Sequence, residues 1–502
     1  MKKYLGIAAI FAICVPFMAS CSTEEVRVLR VYNCEDYMLE TNEEDEVVGL
    51  TDRFVEFMAD IYGEKVKVIY DTYDTNESML SQVKTGKVRY DLICPSDYAI
   101  QKMIAEDLII PFEDENHVST TPLYDQNASK FLLNKLDNIE VKVNKNGKSE
   151  VLKNQLNRYA KGYMWGTLGL LVNPEFVDIE DFKDNYSMLW DAKYRNKISV
   201  KDSQRDTYAI GILEAFRPEF EELRTKYLAG EISGPEYNKQ ITEHFNRCDQ
   251  ETLDKVLASL QNLKSNIFGF EVDSGKQDIQ QGKIYINTAW SGDATYAMDT
   301  ALEETGTVLK YILPDIGANI WFDGWVMPKG ADVELASHFI NFLSMPENAV
   351  DNMDEIGYTP FTACEEVFEY IKETYATPEE EIENIDDYFK KDLSYFFKND
   401  ESDETDYSIL IENELRYTQI DTQYPDEDKL NSLCIMDDFG PNTKNVIKMW
   451  EKLKNTSMPA YFYYIVLGGI GLLIGFIIFK YVMKIKKKRD RILRLKARAK
   501  AK

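Results

Sequence analysis

The chain is short of the residues that carry most reaction chemistry. Among 502 residues there are three His, at positions 117, 244 and 338, with no HExxH pairing. Scattered imidazoles of this kind give no zinc-hydrolase signature. Neither a nucleophile elbow nor a glycine-rich phosphate loop is present, which argues against a hydrolase of that design and against nucleotide chemistry; counting alone leaves a Ser-His-Asp triad open. Seven Cys occur at irregular spacing without a CxxC, so neither a metal site nor a dense disulfide framework is indicated. Of these, Cys34, Cys94, Cys248, Cys364 and Cys434 lie in the body, and an odd number leaves at least one unpaired. Positive charge is also scarce: 58 Lys and Arg face 86 Asp and Glu, for a net charge of -28. The scarcity is uneven. From Tyr461 onward 12 Lys and Arg meet one Asp, which leaves -39 on everything before it. Such a body repels nucleic acid and attracts cations, besides being soluble. No cofactor and no metal are expected.

Both ends carry membrane signals. Lys2 and Lys3 precede an apolar run from Tyr4 to Phe17, too short to span, which reads as a signal peptide over residues 1–20. Met18-Ala19-Ser20-Cys21 resembles a bacterial lipobox, so cleavage before Cys21 and acylation of its thiol are expected. Tyr461 to Phe479 is 19 uncharged residues. As a helix it would be about 28 Å long, close to one bilayer core. Aromatics at its start and Lys/Arg after Lys480 predict a transmembrane helix over 461–480, with the body outside and a basic tail, 481–502, in the cytoplasm.

Three stretches set aromatics beside carboxylates: Asn33-Cys34-Glu35-Asp36-Tyr37, Asp202 to Asp206 with Tyr208, and Ile320-Trp321-Phe322-Asp323. Rings offer cation–π attraction of roughly 0.5–2 kcal/mol, and a charged hydrogen bond adds roughly 1.5–3 kcal/mol. A ligand with several ammonium groups on an apolar stem, a polyamine, uses both. Trp321 and Asp323, two apart on a strand, share a face. Around these stretches, strand-like Val26 to Tyr32, a helix from Leu50 capped by Thr51 and stopped by Gly63, a strand from Val66, a helix over Asn76 to Thr85 stopped by Gly86, and a short strand before Pro95 read as β-α-β-α-β-α. That order predicts a parallel or mixed α/β sheet with ligand beyond the strands' carboxyl ends. Residues 113–161 read as poorly ordered. Trp165, Trp190 and Trp325 read as core.

Several runs, in order, are similar to the spermidine/putrescine-binding proteins of ABC importers: Val31-Tyr32-Asn33 with Tyr37, Tyr73-Asp74-Thr75-Asn76-Glu77, Tyr90 to Tyr98, Tyr163-Met164-Trp165-Gly166, Asp202 to Asp206, Trp290-Ser291-Gly292, Trp321-Phe322-Asp323 and Ile356-Gly357-Tyr358. The resemblance covers about Val26 to Thr362. It implies a two-lobed periplasmic-binding-protein (type II) fold with a hinged cleft, and no enzyme activity. It also implies partners: a small polyamine, and a separate permease and ATPase. Lobe 1 would comprise 26–160 and 321–364, lobe 2 161–320, with 365–456 an acidic helical extension completing lobe 2. Site roles follow from the same resemblance. Trp321 and Trp290 would wall the ligand's stem, Asp323 accept an inner amine, and Asp206, positioned by Arg205, accept a terminal amine. Asp36 and Glu35 with Tyr37 would hold the other terminus, and Ser96, Tyr98 and Tyr358 complete the pocket. Cys34 replaces a frequent stacking Trp and Ser203 a second acid, which leaves the choice between spermidine and putrescine open. Another organic cation in the same cleft, or a sensor built on it, is the alternative.

Overall fold

The computed structural model describes residues 26–42, 46–145, 148–153, 155–400 and 402–455, with isolated positions between 476 and 489. The expected signal peptide, the Cys21 lipid site and nearly all of the 461–480 span lie outside the described residues. Among the described residues no helix is long and apolar enough to cross a membrane. One compact unit ends at Val446 and a second begins at Ile447; the first carries the sheet and the site.

The N-terminal run folds as its periodicity predicts. Strand Arg27–Cys34 pairs in parallel with Val66–Tyr73 and with Leu92–Ile93. Parallel pairing needs crossovers, and helices Leu50–Phe57 and Asn76–Thr85 lie on the two connections. The second helix shows why its ends were legible. The Thr75 hydroxyl accepts from the Ser78 amide at 3.2 Å, and Gly86 closes the helix at φ 62°, a left-handed conformation that glycine adopts freely. The first helix departs in detail: Gly49, not Thr51, is its N-cap, and it widens into a π turn over Met58–Tyr62 before Gly63 stops it.

Two long antiparallel strands, Ala160–Val172 and Ala318–Pro328, form the middle of a 12-stranded mixed sheet. Toward one edge lie Leu92–Ile93, Arg27–Cys34 and Val66–Tyr73; toward the other lie Ile286–Trp290, Ile198–Lys201 and Gly269–Glu271. Each half has its own apolar core. Leu29, Ile93, Trp165 and Trp325 belong to the first, and Leu171, Ala289, Ala297 and Tyr311 to a core in the second. Residues Ala160 to Thr167 pair mainly with Ile320 to Val326, whereas Leu168 to Val172 pair with Ile286 to Trp290. The strand itself therefore crosses between halves, and crossovers expected near 160 and 320 fall on continuous strands. A bulge interrupts the central pairing: Asp323 faces Met164 and Gly324 faces Gly162, so Tyr163 is the extra residue. Bulges re-aim the side chains beside them, and this one adjoins Asp323.

Two expectations need correction. Residues 113–161 are ordered into helices Pro122–Asn127 and Lys130–Asp137 and a hairpin, Val141–Lys145 with Lys148–Leu152. Their Asn and Lys content hid Tyr124, Leu132 and Leu136, which are buried. The segment 365–456 is not the purely helical extension expected. Part of it does pack on the second half, with Gln419 donating to Asp299 at 2.6 Å and Asn238 donating to the Leu433 carbonyl at 2.7 Å, but it is not all helix and it also joins the first core. It contains the hairpin Tyr388–Asp392 with Ser408–Glu412, and strand Leu433–Ile435 extends the central sheet beside Ala318 to Ile320. Its Phe368, Phe396 and Tyr424 join the core that holds Leu29 and Ile93. Acidic surface residues alternate there with buried aromatics, and Lys391, only 1% exposed, is held by Asp421 and Asp426 at 2.6 Å each. Trp165 and Trp325 are fully buried, and Trp190 is half-buried with its indole donating to the Ser259 carbonyl at 2.9 Å.

Candidate functional site

The site gathers where strands end and helices begin. Leu92–Ile93 runs through Cys94 and Pro95 to Ser96, the N-cap of helix Asp97–Ala105. Ile198–Lys201 leads to Ser203, which caps helix Gln204–Ala215 by accepting from the Asp206 amide at 3.3 Å. Ile286–Trp290 turns directly into helix Ser291–Thr305. These three junctions surround the bulged part of Ala318–Pro328, from which Trp321 and Asp323 project.

Asp323 is the hub. Its Oδ2 accepts from the Tyr37 hydroxyl at 2.8 Å, and a backbone bridge brings Ser96 beside it, where the hydroxyl helps hold its pKa down. Its Oδ1 is buried and has no partner. Burial pushes this carboxyl up to about 6 against the two donors, and the charge of Asp206 adds to the shift. An acceptor of this kind costs free energy until a donor reaches it. Tyr163, the bulge residue, fixes the arrangement: its hydroxyl donates to the Tyr37 carbonyl at 2.8 Å while accepting from Asn352 at 2.8 Å. Around the hub, the Tyr37 ring meets that of Tyr358 edge-on at 4.9 Å, and Tyr358 lies 5.7 Å from Trp321. Trp321 is half-buried against Gly166, and its indole N–H is a second buried group without a partner. A Cβ at Gly166 would lie 2.5 Å from the Trp321 ring, and one at Gly292 would lie 2.2 Å from the Tyr358 ring. Glycine is therefore required at both positions by close approach.

A second pair stands beside the hub. The Trp290 indole donates to Asp206 Oδ2 at 3.1 Å, and burial raises the pKa of Asp206 against that bond and the Ser203 hydroxyl. Thus Tyr37, Ser96, Trp321, Asp323 and Tyr358 form one connected set, and Asp206 with Trp290 another. Four expected residues stand differently. Glu35 and Asp36 are exposed at the end of the first strand, with Asp36 at φ 52°. Arg205 does not position Asp206. Its guanidinium stacks on Tyr98 at 3.5 Å and on Phe439 at 4.5 Å, and it donates to the Asp437 carbonyl at 2.8 Å. Tyr98 thereby has one ring face covered, and its hydroxyl goes to Glu77 at 3.3 Å.

The sequence reading missed a buried charge network. Lys201, only 1% exposed, places its ammonium 2.7 Å from Asp293 and 3.3 Å from Glu271, and 4.3 Å above the Trp290 ring. Asp293 also accepts from the Tyr358 hydroxyl at 2.8 Å and lies 3.7 Å from Lys276. Burial opposes both charges, but the mutual attraction wins: the pKa of Lys201 is raised and that of Asp293 lowered. Asp97 was missed as well; burial lifts it to about 8 although Arg205 and the Phe322 amide oppose this. The strand-end rule could have flagged Lys201, which immediately precedes the noted Asp202 to Asp206 run. Among the described residues no group of three or more His, Cys, Asp or Glu is placed to hold a metal.

The chain resembles known proteins over most of this body. It is 25% identical to the spermidine/putrescine-binding periplasmic protein of Salmonella typhimurium over 305 residues, 60% of this chain and 72% of that one. Against the protein of the same description from Escherichia coli, identity is 25% over 353 residues, 69% and 81% of the two chains. Among solved structures, the spermidine/putrescine ABC transporter substrate-binding protein of Streptococcus pneumoniae superposes with a TM-score of 0.52 at 24% identity, over 85% of this chain and 98% of that one. This likeness makes the fold the two-lobed α/β periplasmic-binding-protein fold that the sequence predicts. Residues 52–367 match bacterial extracellular solute-binding proteins, so the chain belongs to that family.

Proposed function

We propose that the chain is a membrane-anchored, extracytoplasmic receptor for a polyamine of the spermidine/putrescine class, which it hands to a separate ABC permease and ATPase. The observation that carries the reading is the buried, unpartnered Oδ1 of Asp323 among the rings of Tyr37, Trp321 and Tyr358. An ammonium is the donor such an acceptor lacks, and aromatic faces suit the methylene stem beside it. Asp206, with Trp290, offers a second acidic end. The names of the relatives point to the same ligand class. The anchors are the lipobox Cys21 and the apolar 461–480 segment with its basic flank. One span makes no channel, hence the separate permease.

Calorimetry of the full chain with putrescine, cadaverine, spermidine and spermine tests the ligand. At least one should bind; heat from none of the four, with heat from another organic cation, would transfer the cleft to that cation. For topology, an impermeant thiol label on intact cells should reach Lys390→Cys, an exposed position, and not Lys496→Cys. Labelling of the tail position would reverse the orientation.

A further inference from the structure

The cleft contains its own ammonium. Lys201 ends strand Ile198–Lys201 and points back across the neighbouring strand end, where its Nζ sits 4.3 Å over the Trp290 ring. It lies 2.7 Å from Asp293 Oδ2 and 3.3 Å from Glu271 Oε1, and it donates to the Val272 carbonyl at 2.7 Å. Asp293 is thereby fully engaged, since its other oxygen holds the Tyr358 hydroxyl and lies near Lys276. This is the arrangement a ligand ammonium would make, with a carboxylate on one side and an indole face on the other, but it is made by the protein.

Asp323 keeps an open, buried oxygen. Asp206 is buried, with only the neutral Trp290 and Ser203 donors within hydrogen-bond reach. Asp293 and Glu271 share the Lys201 ammonium, with Lys276 a further 3.7 Å from Asp293; Glu271 Oε1 makes no hydrogen bond but lies in ion-pair range of Lys201 at 3.3 Å. Glu35 and Asp36 are exposed, and Lys276 sits within electrostatic range of Asp36, so an ammonium there gains little from contacts in water. Asp97 is buried too, but one of its oxygens takes the Phe322 amide and its carboxyl is raised to about 8, so it is mostly uncharged at neutral pH. Among the described residues of the site, two acids remain that lack a cation within ion-pair distance, and each buried ammonium requires its own. We propose that Lys201 stands in for one ligand ammonium, so that the cleft selects a diamine over a triamine. The inference rests on the polyamine reading above and makes Lys201 its specificity-determining residue. The third ammonium of a triamine would meet the Lys201 charge without a free carboxylate, which is repulsive and poorly solvated.

The test compares putrescine with spermidine by calorimetry on the full chain. Putrescine should bind at least about tenfold more tightly, the equivalent of about 1.4 kcal/mol. Lys201→Met combined with Glu271→Gln removes the ammonium without leaving both acids uncompensated, and it frees Asp293 for the ligand. In that variant the putrescine preference should shrink by about tenfold or more, mostly through tighter spermidine binding. Spermidine binding the unaltered protein as tightly as putrescine would overturn the role of Lys201 while leaving the polyamine reading standing. An unchanged ratio in the variant, with a cooperative melt showing it folded, would do the same. Should the variant not fold, the ratio in the unaltered protein decides. Failure of putrescine, cadaverine, spermidine and spermine alike to bind would remove the polyamine reading, and this inference with it.

Discussion

Replacing Asp323 by Asn separates the two things this residue does. The amide keeps an oxygen for the Tyr37 hydroxyl, now 2.8 Å away, and keeps the side chain's shape between Ser96 and the aromatic cluster. It loses the charge. A hydrogen bond to a charged group contributes about 1.5–3 kcal/mol, so amine affinity should fall about 10- to 100-fold. Stability without ligand should move the other way. The folded pKa of about 6 lies above the ordinary 3.8. For an acid raised in this way, the cost of ionisation is absent below about pH 4, grows through the interval, and is fully present above about pH 6. Two units correspond to about 3 kcal/mol at pH 7, an upper bound that screening at a half-buried residue reduces toward about 1 kcal/mol. The variant should therefore melt higher in the absence of ligand and bind more weakly, measured by scanning calorimetry and titration calorimetry on one preparation. Weaker binding together with a lower melting temperature would mean that Asp323 is structural. Unchanged affinity would remove it from the site.

Acid should weaken binding through the same carboxyl. With Asp323 at about 6, affinity should drop about tenfold between pH 7 and pH 5, and Asp323→Asn should flatten that profile; equal slopes in the two proteins would assign the titration elsewhere. Gly292→Ala places a methyl 2.2 Å from the Tyr358 ring, which must shift and carry its hydroxyl away from Asp293. Overpacking of this kind costs roughly 1–3 kcal/mol, so a lower melting temperature and weaker ligand binding should appear together; an unchanged melt would mean that the ring moves freely.

What the sequence disclosed and what it hid differ by range. Helix Asn76–Thr85 was readable to the residue because its signals, Thr75 and Gly86, are local. Asp323 and the rings Trp290 and Trp321 were readable because each ends or interrupts an apolar strand, and Asp206 because it opens the helix that follows one. Arg205 misled for the same reason. Adjacency to Asp206 suggested service to it, but successive helix residues point apart, and Arg205 faces Tyr98 and Phe439. The Lys201–Glu271–Asp293 network joins three segments whose outer members are 92 residues apart in sequence, so no short window contains it. The C-terminal hairpin was hidden by its surface: Lys390, Lys391 and Asp392 look solvated, yet Lys391 turns inward to two acids.

The body cysteines, Cys34, Cys94, Cys248, Cys364 and Cys434, are all free thiols. Nothing covalent closes a loop between these positions, so the site is held by packing, hydrogen bonds and ion pairs. Folding then requires no oxidant and no isomerase to sort pairings, and a reducing environment leaves the architecture unchanged. Cys34, beside the cleft, is held near 12 by burial and by the charge of Asp323, so it stays protonated and is a poor nucleophile at neutral pH. The carboxylate that is left open for a cation thereby also keeps its neighbouring sulfur chemically quiet.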